Sequence, residues 1–376
     1  MSMVEPSITN NQEHNDKPVI AILAGGTGGH IFPGLAIAKS LQDMGADIFW
    51  LGGTRGLEVK IVPNNDIPHV FMEVNSLRGK GLKGWLVLPF SLIGQVLTAK
   101  KILKKHRVTA GISMGGYVAG PGGLACKLAG IPLFVHEQNS VPGLTNKVLA
   151  FFAKKIFTGF PGIFVRYKAM YTGNPVRKEI LRNDKSKESL QALNSRPIRL
   201  LVLGGSQGAF SLNNIIPEAI ALIEEGQRPE IIHQCGARHL KTAQSTYEKA
   251  GVKARVIDFI ENMGEQYNWA DLVICRSGAL TVAELAASGV ASILIPFPAA
   301  VDDHQTKNAR FLSDKHAAVL ISESDLNPRV LSEQIIALFN EPALLDTMAD
   351  NAYACKKSDA AQTVATLIME DMQYAA

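Results

Sequence analysis

The sequence has few cysteines and no long apolar run, and both absences narrow the class of protein. Its 376 residues include four cysteines, which are widely separated and form no CxxC pair. This pattern predicts reduced thiols in a cytoplasmic protein rather than a disulfide framework or a zinc site. The longest apolar stretch, Trp85 to Leu97, is interrupted by Pro89, Gly94 and Gln95. It is therefore shorter than the ~20 residues that a membrane span needs.

Two common nucleotide-binding motifs are also missing. No G-x-x-x-x-G-K-[ST] sequence occurs, which excludes a P-loop. The dinucleotide fingerprint G-x-G-x-x-G fails at the first glycine turn, where Ile31 replaces the last glycine. The acid expected to bind a ribose after the second strand is absent, since Gly52 and Gly53 follow that strand. An NAD-dependent oxidoreductase is therefore disfavoured.

Acidic residues are scarce in a long stretch of the first half. Between Asn75 and Lys178 the chain has 16 lysines and arginines but a single acid, Glu137, although the net charge of the whole chain is only +4. A positive field of this kind attracts phosphates, nucleic acid or acidic lipid headgroups. A solvated basic surface without a partner is the plainer alternative. We expect an anionic partner.

The clearest local pattern lies between Pro18 and Gly34. The apolar run Val19 to Ala24 predicts a buried parallel strand, and the glycines after it allow a tight turn. Pro33 suits the first turn of a helix. His30 thus lies where the carboxyl end of a strand meets a helix start, the usual ligand side of an open α/β sheet. A phosphate is the default ligand of such a turn, and a purely structural turn is the alternative.

Strand and helix patterns alternate along the chain, and the same plan starts again at Leu200 to Leu203, which leads into a second glycine turn. This predicts an α/β protein with two Rossmann-like, doubly wound parallel-sheet domains that face a cleft. The other predicted strands are Asp47–Leu51, Val70–Val74, Ala110–Ser113, Pro132–His136, Lys155–Thr158, Tyr171–Thr172, Glu230–Gln234, Arg255–Asp258, Leu272–Cys275 and Ala291–Pro296.

We divide the chain into three parts. Residues 1–16 are polar and are expected to form a disordered tail that is neither a signal peptide nor an anchor. Residues 17–176 form the N-terminal Rossmann-like domain, and residues 177–376 form the C-terminal one. The boundary falls in the sequence GNPVRKEI, which has the character of a linker. The last helices are expected to pack back toward the N-terminal domain.

Another strand-to-helix junction follows the apolar run that ends at Cys275. In one interpretation Ser277 or Thr281 caps the helix, and Glu284, three residues after Thr281, completes a capping box. In the other, the Glu284 carboxylate accepts two hydrogen bonds from a ribose diol while nearby donors hold a diphosphate. The residues alone leave both interpretations open.

Basic, small and apolar residues are mixed in the segment Gly79 to Phe90. This mixture suits a segment that enters a membrane interface while its cations meet anionic headgroups. The alternative is a core helix beside a basic loop. Further lysines on the next helical stretch favour the membrane surface. The predicted membrane-contact residues are Lys80, Leu82, Lys83, Trp85 and Phe90.

Six motifs together resemble a known family. In chain order they are GGTGGHIFPG, SMGGYVAGPGG, HEQNSVPGLTN, GNPVR, GGSQGA and CRSGALTVAE. They span nearly the whole chain and closely resemble the N-acetylglucosaminyltransferases of bacterial peptidoglycan synthesis, which are GT-B glycosyltransferases. The resemblance implies a GT-B fold and transfer of N-acetylglucosamine from its UDP donor, with inversion. The implied acceptor is the C4 hydroxyl of undecaprenyl-pyrophosphoryl-N-acetylmuramoyl-pentapeptide.

The resemblance also implies substrate-binding residues. Ile260 would contact the uracil and Glu284 the ribose hydroxyls. His304 precedes Gln305 at a position where relatives carry a second glutamine, which puts one hydrogen bond to the donor sugar in question. The implied donor contacts are Thr27, Gly28, Gly29 and Asn139 in the first domain, Arg177 at the domain boundary, and Ser206, Ile260, Ala279, Leu280, Thr281, Val282, Ala283, Glu284 and Gln305 in the second.

Inverting displacement needs a base that takes the proton of the acceptor hydroxyl. Because Glu137 is the one carboxylate of the basic stretch, the first-domain candidates for catalysis reduce mainly to His30 and Glu137. A histidine with an ordinary pKa of about 6.5 can be neutral at cytoplasmic pH, and His30 resembles the base proposed for the family. We prefer His30 and place Glu137 second. An orienting role for both is the third interpretation.

No metal site and no cofactor are predicted. Asp302 and Asp303, the nearest pair of acids to a DxD motif, have the character of a loop. A divalent cation could assist activity without a protein site. The leaving UDP would be held by backbone donors at the Ser206 turn and at the helix after Ser277.

The resemblance implies partners and a location. The partners are UDP-N-acetylglucosamine, the undecaprenyl-pyrophosphate-linked muramoyl-pentapeptide and an anionic membrane surface, with no nucleic acid. Association with other cell-wall synthesis proteins is compatible with them. The N-terminal domain would face the acceptor and the membrane, and the C-terminal domain would hold the UDP-sugar. The protein would be cytoplasmic, bound peripherally to the inner face of the cell membrane. The nearest alternative is another GT-B glycosyltransferase with a different lipid or small-molecule acceptor.

Overall fold

The computed structural model of the protein describes residues 17–74, 82–182, 196–205, 208–357 and 359–373, without the side chains of 82–90, 301 and 373. The predicted tail, residues 1–16, lies outside the described residues. Within them the chain forms two parallel sheets, one in each half.

The first sheet has seven strands and is flanked by helices. Its strands are β1 Val19–Ala24, β2 Asp47–Gly53, β3 His69–Met72, β4 Ala110–Gly115, β5 Leu133–Glu137, β6 Lys155–Thr158 and β7 Met170–Tyr171. They pair in parallel in the order β3-β2-β1-β4-β5-β6-β7. The α-helices of this half are α1 Gly28–Asp43, α2 Glu58–Ile61, α3 Leu82–Lys105, α4 Ala119–Ala129 and α5 Leu144–Leu149.

The second sheet has six strands in an equivalent arrangement. They are β8 Arg199–Leu203, β9 Glu230–Gln234, β10 Arg255–Ile257, β11 Leu272–Cys275, β12 Ala291–Leu294 and β13 Ala318–Leu320. They pair in parallel in the order β10-β9-β8-β11-β12-β13. The α-helices of this half are α6 Phe210–Ala221, α7 Leu240–Lys249, α8 Met263–Trp269, α9 Ala279–Ser288, α10 His304–Ser313, α11 Pro328–Phe339, α12 Pro342–Ala354 and α13 Ala360–Gln373.

The predicted fold class is confirmed, because both sheets have the doubly wound order in which the first strand of the half lies beside its fourth. The glycine turns after β1 and β8 therefore lie at the points where strand order reverses. Apolar clusters cover both faces of each sheet, which explains why the strands are nearly continuous apolar runs. Every predicted strand is present with ends shifted by two residues or fewer. The three-residue strand β13 was missed because so short a run carries no usable periodicity.

The start of the first helix differs from the prediction. Helix α1 begins at Gly28, directly after the extended residue Thr27, and Pro33 lies inside the helix rather than in its first turn. The missing amide hydrogen of Pro33 leaves the Gly29 carbonyl without its usual intrahelical donor. As a result, His30 belongs to the first turn of α1.

The last described helix returns to the first domain. Val364 and Ile368 of α13 are buried in the same apolar cluster as Ile22 of β1 and Ile37 of α1. The chain thus passes between the two halves twice, once after β7 and once before α13. The two passages touch, because a Cβ added at Gly173 would overlap the side chain of Lys357. The domain boundary at residues 176 and 177 stays a prediction.

Candidate active site

His30 lies between two glycine turns at the carboxyl end of the first sheet. A Cβ added at Gly115, the last residue of β4, would lie 3.3 Å from the imidazole Nε2, and one added at Gly116 would overlap the carbonyl of Gly25. Both Gly115 and Gly116 have positive φ, +90° and +85°. Only glycine allows the two turns to close around the ring in this way.

The environment of His30 favours a neutral imidazole. Its Nδ1 is buried without a hydrogen-bond partner among the described residues, on the side of the ring next to Gly116. Burial lowers the pKa of His30 below its ordinary value, and the Gly25 backbone opposes this only in part. The lowered pKa favours the unprotonated ring at neutral pH.

Glu137, at the end of β5, holds the loop that follows it. Its carboxylate accepts hydrogen bonds from the backbone amides of Asn139 (3.0 Å) and Gly143 (3.1 Å) and from Asn146 Nδ2 (2.9 Å). Burial raises the pKa of this carboxyl, and these donors oppose the shift. Because most of its lone pairs are already used, the geometry favours an orienting role for Glu137.

Asn146 of α5 links Glu137 to the surroundings of His30, and the sequence reasoning missed it. Its Oδ1 accepts from the Ser113 hydroxyl (2.9 Å), while its Nδ2 donates to Glu137. The same Nδ2 is 3.4 Å from the Cβ position of Gly115, which also adjoins His30. The sequence LTNKVL gives no signal for this role, because half of its residues are polar and the burial of Asn146 arises only in the fold.

The loop after β5 is hydrogen-bonded to the second domain. The Ser140 amide and hydroxyl donate to Asn308 Oδ1 of α10 at 3.0 and 2.8 Å. Asn308 Nδ2 in turn donates to the Ser277 carbonyl (3.2 Å), and the Ser277 hydroxyl donates to the Gln305 carbonyl (2.8 Å). This network brings the carboxyl ends of the two sheets together. Asn308 was not predicted, since its partners are distant in sequence.

The helix that carries Glu284 starts earlier than a capping box requires. Helix α9 begins at Ala279 with the extended residue Gly278 as its N-cap, and no side chain caps it. Thr281 is therefore the third helical residue, and the Ser277 hydroxyl bonds elsewhere. The capping-box interpretation of Thr281 and Glu284 is wrong. The carboxylate of Glu284 instead accepts a hydrogen bond from the Tyr267 hydroxyl at 3.1 Å.

Arg177 joins Glu284 to the first domain. Its guanidinium Nη2 lies 3.7 Å from Glu284 Oε1 and its Nη1 lies 3.6 Å from a Glu179 oxygen. The same guanidinium lies 5.5 Å from the ring centroid of Phe32 on α1. Burial raises the pKa of Glu284, while Arg177 and a hydrogen bond from Tyr267 oppose this shift. The Glu284 carboxylate thus lies beside the Arg177 guanidinium, which in turn contacts Phe32 of the first domain.

The remaining predicted donor contacts are spread around this junction. Ile260 is buried after β10. Gln305 Oε1 accepts from the Phe297 amide (3.0 Å). Ser206 lies outside the described residues. Ala279 and Val282 are buried in the second core, whereas Leu280, Thr281 and Ala283 are half-buried. On the first domain, Thr27 and Gly29 are exposed, and Gly28 and Asn139 are half-buried.

The predicted membrane-contact residues lie in and just before the first part of α3. Lys80 lies outside the described residues, and the side chains of Leu82, Lys83, Trp85 and Phe90 on α3 lie outside them too. Farther along α3, Ile93 is 56% exposed. None of the helices in the described ranges is long and apolar enough to cross a membrane.

Metal-ligating side chains do not cluster in the part of the chain that the structure describes, where no group of three or more His, Cys, Asp or Glu could hold an ion. Asp302 and Asp303 both have left-handed backbone conformations. Asp303 accepts a hydrogen bond from the Thr306 hydroxyl (2.6 Å) at the start of α10. The pair forms a tight connection into that helix.

Comparison with known proteins gives consistent matches across the chain. Residues 20–158 match the "Glycosyltransferase family 28 N-terminal domain" and residues 199–364 the "Glycosyltransferase family 28 C-terminal domain". A protein of Alkalilimnicola ehrlichii is 46% identical over 352 residues, covering 94% of this chain and 98% of that protein. One of Xanthomonas axonopodis pv. citri is 47% identical over 355 residues, covering 94% and 82%.

Both relatives carry the name UDP-N-acetylglucosamine–N-acetylmuramyl-(pentapeptide) pyrophosphoryl-undecaprenol N-acetylglucosamine transferase. Among solved structures, the crystal structure of Acinetobacter baumannii MurG superposes with a TM-score of 0.78 at 37% identity. That match covers 94% of this chain and 99% of the crystallised one.

Proposed function

The chain belongs to glycosyltransferase family 28, and from this premise we propose the reaction that its two domains perform. N-acetylglucosamine passes from UDP-N-acetylglucosamine to the C4 hydroxyl of undecaprenyl-pyrophosphoryl-N-acetylmuramoyl-pentapeptide. The observation that carries the proposal is the junction of the two sheets. A neutral histidine in a glycine turn lies on one side, and a carboxylate beside an arginine lies on the other. The names of relatives that share nearly half their residues with the chain support the same reaction.

The proposed chemical step is a direct displacement. The acceptor oxygen attacks the anomeric carbon of the donor sugar, the bond from that carbon to the diphosphate breaks, and UDP leaves with the bonding electrons. The proton of the acceptor hydroxyl passes to Nε2 of His30. Glu137 orients the loop of Asn139 and Gly143, which borders the acceptor side. General base catalysis of this type contributes about 10²–10⁴-fold to a rate.

The donor is proposed to bind mainly to the second domain. Glu284 accepts hydrogen bonds from the ribose hydroxyls, and Ile260 contacts the uracil ring. Backbone donors of the turn after β8 and of the first turn of α9 hold the diphosphate, because the N-terminal end of a helix favours an anion. Gln305 contacts the donor sugar. We propose no resident cofactor, and a divalent cation would act on the diphosphate from solution.

The acceptor lipid is proposed to reach the site from an anionic membrane that the protein binds at its inner face. The basic stretch of the first domain supplies the attraction, and α3 supplies apolar side chains. The described part of α3 extends this character, since Leu97 is 50% exposed and four lysines end the helix. Cations next to exposed apolar residues favour an interfacial position.

Changing Leu82, Trp85 and Phe90 together to serine is expected to weaken binding to phosphatidylglycerol vesicles by about tenfold or more, because less apolar area enters the interface. Cosedimentation with the vesicles measures this. The matched control changes Leu222 and Leu344 to serine, which are exposed apolar residues of the second domain. Equal vesicle binding by the triple variant and the wild type would place the membrane contact elsewhere.

Transfer of labelled N-acetylglucosamine to a purified lipid-linked muramoyl-pentapeptide tests the reaction itself. We expect a disaccharide product that depends on both substrates and forms in the presence of a chelator. If the protein binds UDP-N-acetylglucosamine but leaves this acceptor unchanged, the alternative of another GT-B glycosyltransferase with a different acceptor is correct. Tighter binding of NAD than of the UDP-sugar would exclude both the proposed reaction and this alternative.

A further inference from the structure

Tyr267 contacts the carboxylate of Glu284, the proposed ribose-binding residue. It belongs to α8, is 2% exposed, and donates from its hydroxyl to Glu284 Oε2 at 3.1 Å. Helix α8 is held close to the segment after Arg177, since a Cβ added at Gly264 would overlap the carbonyl of Glu179. This close packing therefore fixes the position of the Tyr267 hydroxyl next to the Glu284 carboxylate.

The two oxygens of Glu284 have different partners. Oε2 receives the Tyr267 hydroxyl, and Oε1 faces the Arg177 guanidinium. A glutamate has three rotatable side-chain bonds, so one hydrogen bond from a buried donor restricts the plane of its carboxylate strongly. Each oxygen therefore keeps one free lone pair, and the carboxylate can accept one hydrogen bond from each of the two hydroxyls of a diol.

We propose that Tyr267 is a positioning residue that holds the Glu284 carboxylate in the orientation that accepts both ribose hydroxyls of the uridine nucleotide. The inference rests on the proposed donor site and adds to it a residue that does not touch the ligand. Burial raises the pKa of Tyr267 well above 10, so the hydroxyl stays protonated and acts as a donor. Removal of this hydroxyl also takes away a donor that stabilises the charged form of Glu284. The neighbouring Glu179, whose charge disfavours that form, remains.

A purely structural role for Tyr267 makes a different prediction. Its ring belongs to an apolar cluster with Val273 and Val282, so a loss of packing would affect stability. Removal of the hydroxyl alone would then change the stability of the domain without changing which nucleotide it prefers. Tyr247 offers the matched control, because it is equally buried in the same domain and its hydroxyl lies 2.9 Å from His233 Nδ1.

The test compares the dissociation constants of UDP and 2′-deoxy-UDP by calorimetry on the full chain. Wild type is expected to prefer UDP by about tenfold, the value of one hydrogen bond to a charged group. Tyr267→Phe is expected to bind UDP about tenfold more weakly and to prefer it by about twofold or less. Tyr247→Phe is expected to keep the wild-type preference. The ratio of two constants measured on one preparation does not depend on the folded fraction.

The possible results separate the inference from the donor site on which it rests. A wild-type preference in Tyr267→Phe, together with a lost preference in Glu284→Gln, overturns the role of Tyr267 and leaves the donor site intact. A wild type that does not prefer UDP overturns both. A lost preference in both Phe variants also overturns the role of Tyr267, because any buried hydroxyl would then suffice.

Discussion

Changing His30 to alanine is expected to lower turnover by about 10²–10⁴-fold while UDP-N-acetylglucosamine binds within about twofold of the wild-type affinity. The base is lost from the first domain, whereas the donor contacts lie mainly in the second. Turnover with the lipid acceptor and calorimetry with the donor measure the two quantities separately. His106→Ala is the control, since His106 belongs to the same domain and burial also lowers its pKa. It lies between the end of α3 and the start of β4, at the amino-terminal ends of the strands and therefore on the side of the sheet away from His30.

The pH profile gives the same prediction a second measurement. Only the neutral form of His30 can accept the proton, and burial lowers the pKa of His30 below 6.5. Turnover is therefore expected to stay constant as the pH falls through 6.5 and to decline only below it. The residual activity of His30→Ala is expected to lack this decline.

Two results would contradict the role of His30. Normal turnover in His30→Ala would remove the residue from catalysis and return Glu137 as the candidate base, which Glu137→Gln would then test. A decline of wild-type turnover that begins above pH 6.5 would show that the titrating group is not a histidine with a lowered pKa.

Changing Glu284 to alanine is expected to weaken UDP binding by about 10–100-fold, with a smaller change of turnover at saturating donor. Two hydrogen bonds to ribose hydroxyls are lost, and each hydrogen bond to a charged group contributes about 1.5–3 kcal/mol, of which solvent and rearrangement recover part. The variant also removes the carboxylate that contacts Arg177 and Tyr267, although Arg177 keeps Glu179 beside it. Calorimetry with UDP measures the change.

The control for this variant is Glu333→Ala, which removes an exposed glutamate from α11 and breaks only its pair with Arg329. UDP should bind this control as it binds the wild type. An unchanged UDP affinity in Glu284→Ala would remove the carboxylate from the donor site. Since no capping box exists to explain Glu284, its role would then be the ion pair with Arg177 that joins the domains.

Local patterns in the sequence were sufficient for the glycine turns and for every strand except the three-residue β13. Buried parallel strands such as β1 and β8 are continuous apolar runs, and the turns after them need glycine at positive φ, so both leave a signal within a few residues. The same locality explains the error at Glu284. The spacing from Thr281 fits a capping box, but the extended conformation of Gly278 starts the helix earlier.

The polar network between the domains could not be predicted in this way. Ser140 and Asn308 are separated by 168 positions, and their hydrogen bond exists only because the carboxyl ends of the two sheets face each other. Asn146 and Tyr267 also become significant only through their partners. A sequence motif can assign such residues to a family pattern, but the physical reason for them is tertiary.

The contact of Gly173 with Lys357 determines how the two domains can move. The two chain passages between the halves lie side by side there, so a rotation of one domain against the other about this point would leave both passages close to its axis. A rotation of this kind moves nearby groups little and distant groups most. Any such opening that separates the loop after β5 from α10 must break the bonds of Ser140 to Asn308. An opening of this kind would therefore also release the loop that the Glu137 carboxylate holds.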